Sequence, residues 1–220
     1  MTMMNDIVDS LSKRGWWSGY FSGQIIDLAS QFGKLVPARN GGPLVDLLRV
    51  RDAQDAHPNS LSAHHGKGPF PLHSNGAHHA IVPKYVFLRL ASHSPSSRGT
   101  VLADFRGALT TEEEECLKRE LWIVRTGRRA FLAPVVDGIY LRYDQDVMTP
   151  AILRSAQSPH VIRDVCDRAP KEVIRWTHQM TAVIDNHRIL HGREGLVLGD
   201  LLEENRLLER ILVRNNELEN

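Results

Sequence analysis

Two histidine motifs on opposite halves of the chain carry the residue types that could do chemistry. His73 lies in the sequence PLHSNG (residues 71–76), and His191 lies in DNHRILHGR (185–193), with Arg206 and Arg210 following. A histidine two residues before a carboxylate, a distant histidine and a later arginine are typical of a three-ligand iron site that holds a dicarboxylate beside the metal. Here Asn75 stands where the carboxylate is expected.

The length and the charge of the chain limit what kind of protein it is. Its 220 residues suffice for one domain that buries its own core without disulfides or a structural metal. Its 27 basic and 26 acidic side chains leave a formal charge of +1. Such a balance gives no broad electrostatic surface for nucleic acid or anionic lipid. We therefore expect a small-molecule substrate as the partner and neither nucleic acid nor a membrane, while the oligomeric state stays open.

The cysteines and the amino terminus indicate a cytoplasmic location. Cys116 and Cys166 are far apart in sequence and lack the C-x-x-C spacing of a zinc or redox motif. The first residues show no basic segment followed by an apolar run, as an export signal would require. No stretch reaches the roughly 18 apolar residues of a membrane span. We therefore expect a soluble protein in a reducing compartment.

Histidine is concentrated in one region of the chain. Seven of the 11 histidines fall between positions 57 and 93, namely His57, His64, His65, His73, His78, His79 and His93. This density suggests a metal site, although histidines in loops are more often solvated or hydrogen bonded than bound to a metal.

The hydrophobic pattern predicts a mainly β fold with flanking helices. Strand-like runs occur at 45–50, 84–91, 99–105, 122–136, 138–143, 181–190 and 207–213. Helices are predicted at 22–32, at 110–121 behind a capping box, and at 150–169 with a break at Pro159, while 201–210 suits either a helix or a strand. Many short strands with helices outside them favour a double-stranded β-helix core, the jelly-roll or cupin-like architecture, whose open end holds a ligand.

We expect residues 1–220 to form one such domain. Residues 1–23 are predicted to be an amino-terminal extension, in which Trp16 and Trp17 pack into a core or an interface. Residues 51–70 are rich in Gly, Pro, Ser and His, so they are predicted to be a mobile active-site loop.

Three segments together resemble a known enzyme family. Residues 60–89 contain FPLHSNG, residues 99–104 read GTVLAD, and the third segment combines residues 185–193 with Arg206 and Arg210. Over roughly residues 24–214 the chain is similar to the TauD/TfdA-like Fe(II)- and 2-oxoglutarate-dependent dioxygenases, which have the clavaminate synthase-like fold. The first segment corresponds to the family pattern F-P-x-H-T-D-G, with Asn75 in place of the aspartate.

The resemblance implies the cofactors and a site residue by residue. Fe(II), 2-oxoglutarate and O2 are the implied cofactors. The implied metal ligands are His73, Asn75 and His191, and the implied 2-oxoglutarate contacts are Thr100, Arg206 and Arg210, where Arg210 faces an anionic group of either the cosubstrate or the substrate. Arg142 and His78 are the implied substrate contacts. Arg142 could equally form an ion pair with Asp144 or Asp146.

Asn75 leaves several alternatives open. Its neutral amide oxygen can coordinate a metal but should bind Fe(II) less well than a carboxylate, and His78 or His79 could supply a substitute ligand. The residue is compatible with an active variant, an inactive variant or an introduced substitution. The resemblance gives little support for halogenation, because related halogenases have a small residue at this position.

The expected activity is oxygenation, most simply hydroxylation, of a small and possibly carboxylated biosynthetic metabolite. One alternative is a binding protein on the same fold that is catalytically impaired or silent because of Asn75. Another is a cupin-like enzyme that uses a different metal without 2-oxoglutarate.

Overall fold

The computed structural model describes residues 3–56, 60–92, 96–127, 129–152, 156–195 and 206–215. In these residues the helices are α1 (Met3–Arg14), α2 (Ile25–Ala29), α3 (Leu61–His65), α4 (Thr111–Arg119) and α5 (Ser158–Arg168), with 3-10 turns at Ser30–Phe32, Ala53–Asp55 and Arg106–Ala108.

The strands number fifteen in the described residues and make the protein mainly β, as predicted. They are β1 (Trp16–Tyr20), β2 (Lys34–Val36), β3 (Asp46–Arg49), β4 (Phe70–His73), β5 (Tyr85–Leu90), β6 (Ser96–Ala103), β7 (Leu121–Thr126), β8 (Arg129–Pro134), β9 (Val136–Asp137), β10 (Tyr140–Leu141), β11 (Met148–Pro150), β12 (Lys171–Trp176), β13 (Met180–Asp185), β14 (Leu190–Arg193) and β15 (Leu207–Arg214).

Two antiparallel sheets position the predicted site. The large sheet has the order β1-β13-β5-β15-β2, and β3 also pairs with β15. The small sheet has the order β12-β6-β14-β4. The remaining strands form the sheets β11-β7-β8 and β10-β9. Because most neighbouring strands are distant in sequence, the chain must close long loops before these pairs form.

Successive side chains of β5 point into two different hydrophobic clusters, one on each face of the large sheet. Val86, Leu88 and Leu90 face the small sheet and pack in one buried cluster with Leu102 of β6 and Ile174 of β12. Phe87, between them in sequence, points to the other face and packs with residues of α1 and α2. Side chains alternate between the faces of a strand, and β5 is therefore almost continuously apolar because both of its faces are covered.

The amino-terminal segment, predicted as an extension, forms a helix and a strand that pack on the large sheet. Residues 3–14 form α1, and β1 is an edge strand of the large sheet, where Trp16 lies opposite Ile184 of β13. Trp16 is buried in the core between the sheets, as the packing hypothesis predicted.

Local signals in the sequence are largely confirmed by the structure. Thr110 and Glu113 form a reciprocal capping box at the start of α4. The helix predicted to end at Gly33 does so, with a φ of 144° and Arg214 O so near that a side chain would clash. Pro159 lies in the first turn of α5, where the N–H that proline lacks would have no partner within the helix. The predicted break of the helix at Pro159 is therefore wrong.

Two further predictions can be compared with the structure only over the described residues. Residues 207–214 form a strand, and the alternative helix at 201–210 is excluded over its last four residues, while 201–205 lie outside the described residues. Among the residues that the structure describes, no helix is long and apolar enough to span a bilayer.

Candidate functional site

Strand pairing brings the two motif histidines together. His73 ends β4 and His191 lies on β14, and the two residues are directly opposite each other in the small sheet. Their ring centroids are 4.7 Å apart, and both side chains are buried. The pairing thus joins residues that are far apart in sequence, as the sequence analysis predicted.

A backbone carbonyl orients the first imidazole. Nδ1 of His73 lies 2.9 Å from the carbonyl oxygen of Pro71, which can only accept a hydrogen bond. Nδ1 therefore carries the proton, and Nε2 presents a lone pair. Burial lowers the pKa of His73, which favours this neutral form. A neutral imidazole with its other nitrogen held by an acceptor is the form in which histidine binds metals.

The second imidazole is more strongly held in the neutral form. Burial lowers the pKa of His191 well below its ordinary value, and the positive charge of Arg210, together with that of His73 whenever it is protonated, lowers it further. Its Nδ1 atom is buried and has no hydrogen-bond partner among the described residues. The side chain of Asn75 meets its other nitrogen, Nε2.

Asn186 holds the main chain of Asn75 in place. The Asn75 N–H donates to Oδ1 of Asn186 over 2.8 Å, and Nδ2 of Asn186 donates to the Asn75 carbonyl over 3.0 Å and to the Pro83 carbonyl over 2.9 Å. Gly76 then turns the chain with a φ of 69°, a conformation that favours glycine. Sequence reasoning gave Asn186 no role, although it lies in the second histidine motif.

The side chain of Asn75 bridges the two sheets. Its Oδ1 accepts a hydrogen bond of 2.6 Å from Nη1 of Arg210 on β15, and its Nδ2 contacts Nε2 of His191. Nη2 of Arg210 donates to Asp46 of β3 over 2.6 Å, and Asp46 lies directly opposite Arg210 in the large sheet. Sequence reasoning missed Asp46, because its role depends on the pairing of β3 with β15.

Arg210 lies on the side of β15 that faces the small sheet, and Arg206 directly precedes this strand. Position 210 shares the parity of Leu208 and Leu212, which pack in the core between the sheets. Arg206 is buried, and Arg210 is partly buried with 18% of its side chain exposed; burial lowers the pKa of Arg210, and the carboxylate of Asp46 opposes this shift. The guanidinium of Arg210 therefore lies beside the buried histidines, to which Asn75 connects it.

Thr100 lies on β6, next to the strand of the distal histidine. It is buried, and its partner across the sheet is Arg193 of β14. Nε1 of Trp176 donates to the Thr100 Oγ1 atom over 3.0 Å. A hydroxyl that accepts from an indole retains its own proton, so Thr100 can still donate to a carboxylate.

Arg142, expected as a substrate contact or as the ion-pair partner of Asp144 or Asp146, is bonded to backbone carbonyls in this structure. Its guanidinium donates to the carbonyls of Ala77, His79 (2.6 Å) and Ala80 (3.0 Å). It is buried and lies 5.0 Å from the ring centroid of Phe131, and burial lowers its pKa to about 10. These bonds hold the turn that follows Asn75.

The other histidines are directed elsewhere. Nε2 of His78 and Nε2 of His79 lie 3.2 and 3.1 Å from the carbonyl of Ala38, and burial lowers the pKa of His78 to about 4. These contacts give no support to either residue as a substitute ligand. His65 pairs with Asp146 at 2.7 Å. His57 and His93 lie outside the described residues.

The residues present fit an iron ion in part. The two buried imidazoles suit Fe(II), and Nε2 of His73 has the orientation that a ligand needs. The amide oxygen of Asn75, however, is directed to Arg210. No group of three His, Cys, Asp or Glu side chains in the described ranges has the spacing of a metal site. Of the three expected metal ligands, Asn75 is therefore the one that does not fit an iron site in this structure.

Comparison with known proteins gives matches in structure alone. No family model and no curated protein sequence matches the chain. An asparagine oxygenase in complex with Fe(II), (2S,3S)-3-hydroxyasparagine and succinate matches 96% of this chain and 78% of its own, with a TM-score of 0.73 at 17% identity. The non-haem iron oxygenase OrfP, in complex with Fe, succinate and (3S)-hydroxy-L-Arg, matches 97% and 81%, with a TM-score of 0.71 at 14% identity.

A third similar structure is that of an oxygenase from an isonitrile synthetic pathway. PvcB from Pseudomonas aeruginosa matches 95% of this chain and 79% of its own, with a TM-score of 0.66 at 17% identity. It is described as an Fe, α-ketoglutarate-dependent oxygenase from an isonitrile synthetic pathway. The chain therefore has the fold of the iron- and 2-oxoglutarate-dependent oxygenases that its sequence motifs resemble.

Proposed function

We propose that the protein is an Fe(II)- and 2-oxoglutarate-dependent oxygenase that hydroxylates a small metabolite of the amino-acid class. The observation that carries the proposal is the buried pair His73 and His191 on adjacent strands, with Arg210 of the facing sheet bonded to Asn75 and the buried Arg206 four residues before it. The arrangement of two facing antiparallel sheets supports a double-stranded β-helix as its core.

Each side chain has a defined part in this proposal. His73 and His191 hold the iron through Nε2, and the bound iron supplies oxygen activation at the expense of 2-oxoglutarate. Arg206 binds the far carboxylate of 2-oxoglutarate through its planar fork of N–H groups, and the hydroxyl of Thr100 donates to the same carboxylate. Their burial excludes water, which strengthens a charge-assisted hydrogen bond.

The substrate class rests on the structural neighbours. The asparagine oxygenase and OrfP are each found with a hydroxylated amino acid. Arg142 is occupied by backbone carbonyls, so a charged group of the substrate must be recognised by other residues. No observation favours the catalytically silent binding protein over the oxygenase.

Aerobic turnover tests the proposal. The protein with Fe(II) and 2-oxoglutarate should form succinate, faster when a suitable amino acid is present, and His73→Ala should abolish the reaction. Binding of 2-oxoglutarate without succinate from any amino acid supplied would favour the silent binding protein. Oxidation that proceeds equally well without 2-oxoglutarate would favour a cupin-like enzyme with another metal.

The active-site loop of residues 51–70 should respond to ligand. In the structure Ser60 caps α3, and Arg193, two residues after His191, donates to the carbonyls of Gly66 (2.6 Å) and Gly68 while its guanidinium lies 3.6 Å from the ring centroid of Phe70. Because Arg193 belongs to the strand of the distal histidine, ordering of the site should be transmitted to the loop.

Hydrogen exchange tests this coupling. Adding Fe(II) and 2-oxoglutarate under nitrogen should slow exchange at residues 60–70 by about threefold or more, the protection that about 0.7 kcal/mol of added local stability gives. Helix α1, which packs on the face of the large sheet that is turned away from the small sheet, is the internal control. Protection confined to the region of Arg206, with residues 60–70 unchanged, would show that the loop does not take part.

A further inference from the structure

The donors around Asn75 determine which way its amide points. The guanidinium of Arg210 can donate hydrogen bonds but cannot accept them, so the Asn75 atom that lies 2.6 Å from its Nη1 must be the oxygen. The amide nitrogen then faces His191. An amide –NH2 group can only donate, and Nε2 of His191 must therefore be the unprotonated nitrogen of the ring.

The same lone pair is the one that a metal would need. An imidazole nitrogen has a single lone pair in the ring plane, which can accept a hydrogen bond or bind a metal but not both. The other nitrogen of His191, Nδ1, carries the proton in this state and has no partner among the described residues. The Asn75 amide is therefore a competitor of the metal for His191.

We propose that Asn75 is an amide latch on the distal histidine, which occupies Nε2 of His191 in the metal-free protein and must release it before a metal binds. The latch consists of Asn75, Arg210 and Asp46. It rests on the proposed function in that His73 and His191 are taken to be the metal ligands. Its consequence is that Asn75 opposes metal binding, whereas a coordinating Asn75 would promote it.

Two anchors make the latch specific. Asp46 pairs with Nη2 of Arg210 at 2.6 Å, which directs Nη1 of the same guanidinium to the Asn75 oxygen. Asn186 binds both the N–H and the carbonyl of Asn75, at 2.8 and 3.0 Å, so the main chain cannot easily move the amide away. Release therefore requires rotation of the Asn75 side chain and loss of its bond to His191.

The variant Asn75→Ala distinguishes an asparagine that blocks the metal from one that binds it. Under nitrogen, Fe(II) titration of Asn75→Ala without 2-oxoglutarate should give roughly threefold to tenfold tighter binding than wild type, the value of one neutral hydrogen bond that no longer has to be broken. His73→Ala, which keeps the latch but removes a ligand, is the matched control and should bind more weakly. Unchanged or weaker binding by Asn75→Ala overturns the latch.

A spectroscopic measurement on the wild type gives an answer that does not depend on how the variant folds. With 15N-labelled histidine, the metal-free protein should show His191 protonated at Nδ1 and unprotonated at Nε2. Zn(II) should then shift both the Nε2 signal and the side-chain –NH2 signals of Asn75. A proton found on Nε2 in the metal-free protein overturns the latch.

The outcomes also separate the latch from the proposed function. If wild type and Asn75→Ala both bind Fe(II) but with equal affinity, the two-histidine site stands and only the latch is lost. If neither protein binds Fe(II) and His73→Ala behaves as they do, the metal site itself is wrong and the latch falls with it.

Discussion

Asn75→Asp should bind Fe(II) at least about tenfold more tightly than the wild type, because it replaces a hydrogen-bond donor at His191 by an anionic ligand. Nη1 of Arg210 lies 2.6 Å from the present amide oxygen, so one oxygen of the new carboxylate keeps this contact. The second oxygen, which takes the place of Nδ2, is then free to coordinate the metal. Arg210 should also keep the carboxylate ionised in its buried surroundings.

Anaerobic titration with Fe(II) measures this gain. The matched control is the same substitution in a His73→Ala background, where the added charge is present but one imidazole is missing and most of the gain should be lost. Equal affinities of Asn75→Asp and wild type would place residue 75 away from the metal. A gain for Asn75→Asp together with a loss for Asn75→Ala would make the asparagine an oxygen ligand and would contradict the latch.

Arg206→Ala should lose roughly tenfold to hundredfold in affinity for 2-oxoglutarate. A charge-assisted bidentate contact contributes on the order of 1.5 to 3 kcal/mol, and the buried position of Arg206 leaves little water to replace it. Binding of 2-oxoglutarate to the Fe(II) protein under nitrogen, followed by calorimetry, gives the dissociation constants directly.

Arg210→Ala is the comparison for this measurement. Both guanidinium ends of Arg210 are engaged by Asn75 and Asp46, so its loss should reduce cosubstrate affinity less than the loss of Arg206. If Arg210→Ala proves more damaging, the assignment of the two arginines along β15 is shifted by one strand step or more. Circular dichroism of both variants would show whether a loss reflects folding instead.

Short-range patterns explain why part of the site could be predicted from the sequence. The two histidines proposed as metal ligands each lie in a compact motif, and chemistry restricts which residues can serve as ligands, so His73 and His191 could be singled out without coordinates. Apolar runs predicted β5 and, with a helix as the alternative over 201–210, β15, and the spacing of Thr110 and Glu113 predicted the start of α4. Each of these signals is contained within a few residues.

Other parts of the fold and the site depend on contacts between residues that are distant in sequence, which no local pattern specifies. A carboxylate at position 46 has no distinguishing neighbours, and it becomes the partner of Arg210 only because β3 lies beside β15. Arg142 is a buried structural residue because the turn at residues 77–80 presents carbonyls to it. Helix α1 and strand β1 were missed because their stability comes from packing on the large sheet.

Asn75 shows the division most clearly. The sequence by itself determined that an amide stands near His73 where the family pattern has a carboxylate. Only the tertiary structure decided which atom of that amide faces His191. Because a guanidinium can only donate, Arg210 fixes the amide oxygen of Asn75 on its own side. Arg210 lies more than a hundred residues away in the sequence, and only folding brings this donor to its acceptor.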